Sequence, residues 1–103
     1  MTAITWWGAE VILHTLSVSP RHPGFGDCLL AADTGDTILL LGDAVYAALE
    51  GSEGCRKMQE HSARVVALDT DVRAAGVTSA FVCIDMAGFV ALTEYYPRQL
   101  AWY

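Results

Sequence analysis

Residues Asp36 to Leu49 have the sequence D-T-I-L-L-L-G-D-A-V-Y-A-A-L, and this stretch decides the fold class. Its apolar run, Thr37 to Leu41, is short and rich in branched side chains, as in a strand buried on both faces. Gly42 permits a tight turn, and Asp43 is placed to cap a following helix by accepting backbone N–H bonds. A buried strand leading into a helix is the building unit of a parallel α/β sheet, whose functional edge lies where the strands end.

The other apolar segments repeat this strand–helix unit. The pattern predicts further strands over 11–16, 63–68 and 80–84, and further helices over 25–32, 71–75 and 86–95. These units predict one domain over residues 1–103, a small three-layer α/β fold with a mainly parallel sheet of four to five strands. Residues 1–10 are expected to be an N-terminal extension outside the core. The aromatic tail, 98–103, is expected either to pack on the domain or to serve an interface.

Composition limits the classes of function. The chain is 53% hydrophobic and carries a formal net charge of −6, with no basic stripe. It is therefore not expected to bind a nucleic-acid backbone or an anionic membrane directly. The high apolar content of so small a domain indicates surface that is buried against other subunits. No apolar run suits a membrane span and no signal-peptide pattern is present, so a cytoplasmic location is expected.

Familiar site motifs are missing from the sequence. The phosphate-binding patterns G-x-G-x-x-G and G-x-x-x-x-G-K-[ST] and the nucleophile elbow G-x-S-x-G do not occur. The three histidines and three cysteines lack metal-ligand spacing, and the only lysine, Lys57, lies too early for a phosphoacceptor domain. No cofactor or metal is expected. Two alternatives remain, which are thiol chemistry at the strand-end edge and no chemistry at all.

The candidate residues for thiol chemistry or catalysis are the three cysteines and one histidine. Cys28 lies on the apolar stripe of the first helix. There it is either a small buried hydrophobe or a thiol whose pKa is lowered near a helix start. Cys55 has cationic neighbours and is expected to be exposed, whereas Cys83, inside a strand, is expected to be buried. His14 lies inside the first strand, which is more typical of a satisfied core group than of a catalytic one.

Five blocks, taken in order, resemble the DsrH/TusB family. They are I-L-H-T-L-S-V-S-P (12–20), G-D-T-I-L-L-L-G-D-A-V-Y-A-A-L (35–49), A-L-D-T-D-V-R-A-A-G (67–76), I-D-M-A-G-F-V-A-L-T (84–93) and Q-L-A-W (99–102). The resemblance implies a DsrE-like fold and a place in a cytoplasmic sulfur-relay complex that passes sulfur as a cysteine persulfide. The implied partners are DsrE/TusD-like and DsrF/TusC-like sibling subunits, together with sulfur donor and acceptor proteins. TusB-like members serve 2-thiolation of the tRNA wobble uridine, and DsrH-like members serve sulfur oxidation.

The resemblance also bears on individual residues. The principal sulfur-accepting cysteine of such complexes is on the DsrE/TusD-like sibling, but DsrH-like members carry another in the first helix after a Ser-Pro pair. Cys28 follows Ser19-Pro20 at nearly that position, which favours the DsrH branch and makes Cys28 a candidate persulfide carrier. Its thiolate would attack the outer sulfur of a donor persulfide. The predicted supporting residues are His14 and His22, as proton carriers or electrostatic helpers, and Asp43 and Asp85, as helix caps at the site rim.

Two further hypotheses stay open beside the carrier role. The chain could be a non-catalytic scaffold that completes the hetero-oligomer around an active sibling, as its apolar content and aromatic tail indicate. It could also be an unrelated α/β module that binds a small ligand at the strand-end edge. In isolation the chain could form a homo-oligomer through the surface that its siblings normally cover.

Overall fold

A computed structural model describes residues 11–103, in which five strands form one parallel sheet. The strands are β1 (Ile12–Leu16), β2 (Thr37–Leu40), β3 (Arg64–Leu68), β4 (Val82–Ile84) and β5 (Arg98–Trp102). Their spatial order is β4-β3-β2-β1-β5, and every neighbouring pair is parallel. The predicted α/β class with a mainly parallel sheet is therefore confirmed. The predicted N-terminal extension, residues 1–10, lies outside the described residues.

Helices connect these strands and cover both faces of the sheet. They are α1 (Pro23–Ala31), a 3₁₀ helix (Gly42–Ala48), α2 (Glu53–Glu60), α3 (Asp69–Ala75) and α4 (Met86–Tyr95). Buried side chains of α1, the 3₁₀ helix, α2 and α3 pack on one face, whereas α4 packs on the other. Among the described residues, no helix combines the length and apolar character that crossing a bilayer requires.

The core consists of two apolar clusters separated by the sheet. Successive strand residues point to opposite faces, and β2 is covered on both, so all four of its residues are buried. The cluster beneath α1 includes Leu16, Ile38, Leu40, Phe25 and Cys28. The cluster beneath α4 includes Leu13, Leu39, Val66, Leu68 and Tyr96, with Phe89 and Leu92 partly buried against it. The apolar side of α4 therefore faces the sheet.

The structure contains two elements that the sequence pattern did not predict, which are helix α2 and strand β5. Ser52 caps α2 by accepting the Cys55 N–H at 3.1 Å, although most residues of this helix are polar. The aromatic tail is strand β5, which pairs with β1 along its whole length, from Ile12 opposite Arg98 to Leu16 opposite Trp102. The expectation that the tail packs on the domain is confirmed for Trp102, which is partly buried, whereas Tyr103 is 91% exposed.

The cap predicted after β2 is wrong. The helix there is a 3₁₀ helix whose N-cap, Leu41, makes no side-chain cap bond, and Asp43 lies within the first turn. The carboxylate of Asp71 in α3 instead accepts the Gly42 N–H, with a distance of 2.7 Å between Oδ2 and the nitrogen. Because β2 and β3 are parallel neighbours, the start of α3 lies close enough to supply this oxygen. Gly42 itself has a φ of +53°, so the predicted need for glycine at this turn is confirmed.

Candidate functional site

The carboxyl ends of all five strands lie at one edge of the sheet, because every strand runs in the same direction. The residues that follow β1, β2, β3 and β4 at this edge are Ser17, Leu41, Asp69 and Asp85. Ser17 closes the edge between β1 and β5, because its backbone N–H donates to the Trp102 carbonyl at 3.0 Å. Ligand sites of α/β proteins lie at such an edge.

Cys28 is in the core rather than at the edge. It lies in the second half of α1, which begins at Pro23, and its side chain has 0% exposure. Burial disfavours the charged thiolate and raises the pKa of Cys28 from 9.0 to about 12. Of the two alternatives for Cys28, the structure thus supports the small buried hydrophobe and not a thiol whose pKa is lowered near a helix start. The carrier role of Cys28 stays a prediction, and it requires a conformation in which Sγ reaches solvent.

The exposure of the other two cysteines is the reverse of what was predicted. Cys55 is completely buried, because α2 turns this side of its first turns toward the core. Cys83 is exposed, because the short edge strand β4 leaves its side chain uncovered. Cys83 lines a shallow cavity of about 410 Å³ together with Asp69, Asp85 and Gly88. The exposed thiol at the strand-end edge is thus Cys83, not Cys28 or Cys55.

His14 is the centre of a buried polar network. Its Nε2 lies 2.9 Å from Oδ2 of Asp36, and its Nδ1 accepts a hydrogen bond from Nε1 of Trp102 at 3.1 Å. Since the indole N–H can only donate, Nδ1 is the acceptor and Nε2 carries the hydrogen that is donated to Asp36. The prediction that His14 is a satisfied core group is confirmed, and both ring nitrogens are occupied in this arrangement.

The carboxylate of Asp36 is buried and fully hydrogen-bonded. Burial by itself raises the pKa of this group, but three hydrogen bonds outweigh it and hold the pKa below its ordinary value. The donors are the backbone N–H of Asp33, the ring of His14 and the backbone N–H of Ile12, with heavy-atom distances between 2.9 and 3.0 Å. Asp36 thus joins the start of β2 to β1, a structural task that the sequence pattern did not reveal.

The remaining predicted residues are helix caps or surface groups. His22 is the N-cap of α1, where Nδ1 accepts the Gly24 N–H at 2.9 Å. Asp85 caps α4 by accepting the Gly88 N–H at 2.8 Å, so the predicted cap is confirmed. Asp43 is exposed in the 3₁₀ helix. These side chains use their hydrogen bonds locally and are not gathered around Cys28. Their roles as proton carriers or as a site rim stay predictions.

A cavity of about 440 Å³ opens beside the loop that follows β1. Its lining comes from that loop, from the 3₁₀ helix and from the start of α2, and includes Pro20, Arg21, Tyr46, Leu49 and Lys57. The sequence pattern did not predict this cavity, because it requires α2, whose polar sequence gave no helix signal. Within residues 11–103, no group of three or more His, Cys, Asp or Glu side chains is placed to hold a metal ion.

Comparison with known proteins identifies the family. The family model described as DsrH like protein matches residues 18–99. The chain belongs to the DsrH family. Among curated relatives, the protein TusB of Pectobacterium carotovorum is 40% identical over 95 residues, which cover 88% of this chain and all of the relative. Protein TusB of Escherichia coli strain K12 is 37% identical with the same coverage.

A solved structure supports the fold. The solution NMR structure of protein Tm0979 from Thermotoga maritima superposes with a TM-score of 0.64 at 26% sequence identity. The match covers 82% of this chain and 92% of the Thermotoga protein. The resemblance drawn from the five sequence blocks is therefore confirmed. Membership of the family overturns the hypothesis of an unrelated ligand-binding module.

Proposed function

We propose that this protein is a subunit of a sulfur-relay complex and acts in it as a supporting subunit. Support for the relay comes from the DsrH family model and from TusB relatives that match along their full length. The parallel α/β fold agrees with this membership. The partners we propose are DsrE/TusD-like and DsrF/TusC-like siblings, with separate sulfur donor and acceptor proteins, all in the cytoplasm.

The curated relatives favour one branch of the family. TusB proteins of Pectobacterium and Escherichia align with 88% of this chain at 37 to 40% identity. We therefore propose that the relay serves 2-thiolation of the tRNA wobble uridine. This choice differs from the DsrH branch that the placement of Cys28 favours, because identity over 95 residues outweighs the position of one cysteine.

The supporting role is carried by one observation, which is the complete burial of Cys28. A thiol with a pKa of about 12 is almost entirely protonated at neutral pH, with a thiolate fraction on the order of 10⁻⁵. Since the thiolate is the nucleophile in sulfur exchange, this conformation gives Cys28 neither access nor reactivity. The sulfur-accepting thiol is then on a sibling, and this chain completes the assembly around it.

The carrier role is the second hypothesis, and the position of Cys28 after Ser19-Pro20 supports it. In that role the Cys28 thiolate attacks the outer sulfur of a donor persulfide, and the donor cysteine leaves as a thiolate. Assembly with siblings would have to expose Sγ, for instance by moving α1 away from the sheet.

One experiment separates the two roles. The chain is purified with its siblings as wild type, Cys28→Ala and, as a matched control, Cys83→Ala, and each complex is treated with a persulfide-charged donor. Intact mass of every subunit shows which one gains sulfur, and transfer to the acceptor measures the relay. The supporting role predicts sulfur on a sibling alone and full transfer by both variants.

Other results would change the conclusion. Sulfur on this chain that disappears in Cys28→Ala, together with lost transfer, would establish the carrier role instead. Failure of the wild-type chain to join its siblings would contradict membership of the complex. For the branch, the 2-thiouridine content of tRNA in cells that lack this protein should fall, and unchanged content would contradict the tRNA assignment.

A further inference from the structure

The cavity beside the β1–α1 loop combines apolar walls with a cationic rim. Tyr46 and Leu49, with 47% and 45% of their surface exposed, and Pro20 supply apolar lining. Arg21, in the loop after β1, and Lys57, in α2, also line it. The protein has six basic residues against twelve acidic ones, whereas this cavity is lined by two basic side chains and one acidic one, Glu53, so its charge balance is the reverse of that of the whole chain.

The floor of this cavity is built by close backbone packing. A Cβ placed on Gly54 would lie 3.2 Å from Cβ of Pro20 and 3.3 Å from Cβ of Ala47. A side chain at position 54 would therefore push the loop or the 3₁₀ helix outward by a few tenths of an ångström. Ser52 fixes the turn beside them, because its Oγ donates to the Leu49 carbonyl at 2.8 Å and accepts from the Cys55 N–H. The cavity is thus formed before any partner binds, which lowers the entropy cost of binding.

The shape of the cavity favours a protein segment over a small molecule. It is open to solvent, and its lining residues Tyr46 and Leu49 are themselves about half exposed. Small-molecule sites bury most of their ligand, whereas an anchor side chain of a protein partner needs only such an open pocket with an apolar surround. The rim also selects by charge, because two cationic side chains against the single carboxylate of Glu53 leave it with a net positive charge that favours acidic over basic segments.

We propose that this cavity is the docking site for an acidic segment of a sibling subunit, with one apolar side chain of that segment inserted between Tyr46 and Leu49. Its carboxylates pair with Arg21 and Lys57 at the rim. Lys57 has a weak intrahelical partner at present, since its Nζ lies 3.9 Å from Oε2 of Glu53. Both groups are exposed, so the partner's carboxylate can compete for the ammonium group at little cost. This inference rests on the proposed sibling complex.

Binding to the purified sibling pair tests the cationic rim. The double variant Arg21→Ala/Lys57→Ala is compared with a control of equal charge loss, Arg64→Ala/Arg73→Ala, in which both residues are exposed and neither lines the cavity. Surface plasmon resonance with immobilised siblings gives each Kd at low and high salt. We expect the rim variant to bind about tenfold or more weakly at low salt, with a reduced salt dependence, and the control to stay within about twofold.

The apolar anchor has its own measurement. A benzophenone-bearing amino acid at position 46 is irradiated in the assembled complex, and the crosslinked sibling peptide is sequenced. A peptide with an apolar residue flanked by acidic ones supports the proposal, and a neutral or basic peptide overturns it. If the rim variant and the wild type bind the siblings equally well, the proposed docking site is wrong but the proposed function is unaffected. Absence of any complex with the wild type overturns the proposed function as well, so the two failures are distinguishable.

Discussion

Trp102 donates a hydrogen bond from Nε1 to Nδ1 of His14 at 3.1 Å, and the two rings are stacked with their centroids 6.2 Å apart. This contact joins the last strand of the sheet to the first one. On its other side His14 donates to Asp36, the residue before β2, which also accepts the backbone N–H of Asp33 in the turn that leads into that strand. One buried imidazole therefore links three neighbouring strands, which explains why a polar residue lies inside an otherwise apolar strand.

Replacing His14 with leucine should destabilise the fold. Leucine keeps an apolar side chain in the core but leaves the Asp36 carboxylate buried without one of its donors. The free energy of unfolding should fall by about 2–3 kcal/mol, measured by urea denaturation followed by circular dichroism. Backbone amides of β5 should also exchange hydrogen faster, because the strand loses its link to β1.

Trp102→Phe serves as the partial control for this change, since it removes the indole donor but keeps the bond between His14 and Asp36. The lost hydrogen bond should lower the free energy of unfolding of this variant by about 1 kcal/mol. If the free energy of unfolding of His14→Leu is no lower than that of Trp102→Phe, the bond between His14 and Asp36 does not stabilise the fold and the network is misassigned.

Stability should depend on the ionisation of Asp36. Its pKa is lower in the folded protein than its ordinary value of 3.8, so the folded state favours the carboxylate. The contribution is therefore complete above that ordinary value, and it is lost as the pH falls through the lower folded-state pKa. Asp36→Asn should reduce the urea midpoint at pH 7 and flatten the fall in stability at acidic pH. An unchanged acidic slope would show that other carboxyl groups control acid unfolding.

Local signals in the sequence predicted the centre of the fold. The apolar run of β2, the left-handed turn at Gly42 and the Asp85 cap each depend on residues within one or two turns of the chain. Such features can be recognised without knowing what packs against them. The order of β1 to β4 then follows, because consecutive strand–helix units place neighbouring strands side by side, whereas β5 does not pair with β4 but lies beside β1 at the other edge.

Burial of the cysteines could not be predicted in the same way. Cys55 lies in a polar sequence but is covered because α2 packs against the 3₁₀ helix at Gly54. Cys83 lies in an apolar sequence but is exposed because β4 is a three-residue edge strand. Strand β5 gave no clear signal, since four of its five residues are exposed. In each case the outcome depends on distant segments, which sequence periodicity does not describe.

The substitution Asp71→Ala should cost more stability than Asp43→Ala. Asp71 accepts the Gly42 N–H at 2.7 Å and holds the start of the 3₁₀ helix, whereas Asp43 makes no cap bond there. Loss of a capping carboxylate costs about 1 kcal/mol, and an exposed residue without such a bond stays within about 0.5 kcal/mol. Thermal unfolding of both variants makes the comparison. A larger loss of stability for Asp43→Ala would show that Asp43 caps this helix, as the sequence pattern predicted.

The three thiols should differ sharply in reactivity toward a disulfide reagent such as DTNB. Cys83 is exposed and should react first, whereas Cys28 and Cys55 are completely buried and should react only as the protein unfolds. For Cys28, raising the pH from 7 to 9 should add little, since a pKa of about 12 keeps the thiol protonated. Cys83→Ser should remove the fast phase, and urea should release the remaining thiols together. A fast phase that survives in Cys83→Ser and disappears in Cys28→Ala would show that Sγ of Cys28 reaches solvent. The carrier role would then be favoured over the supporting role.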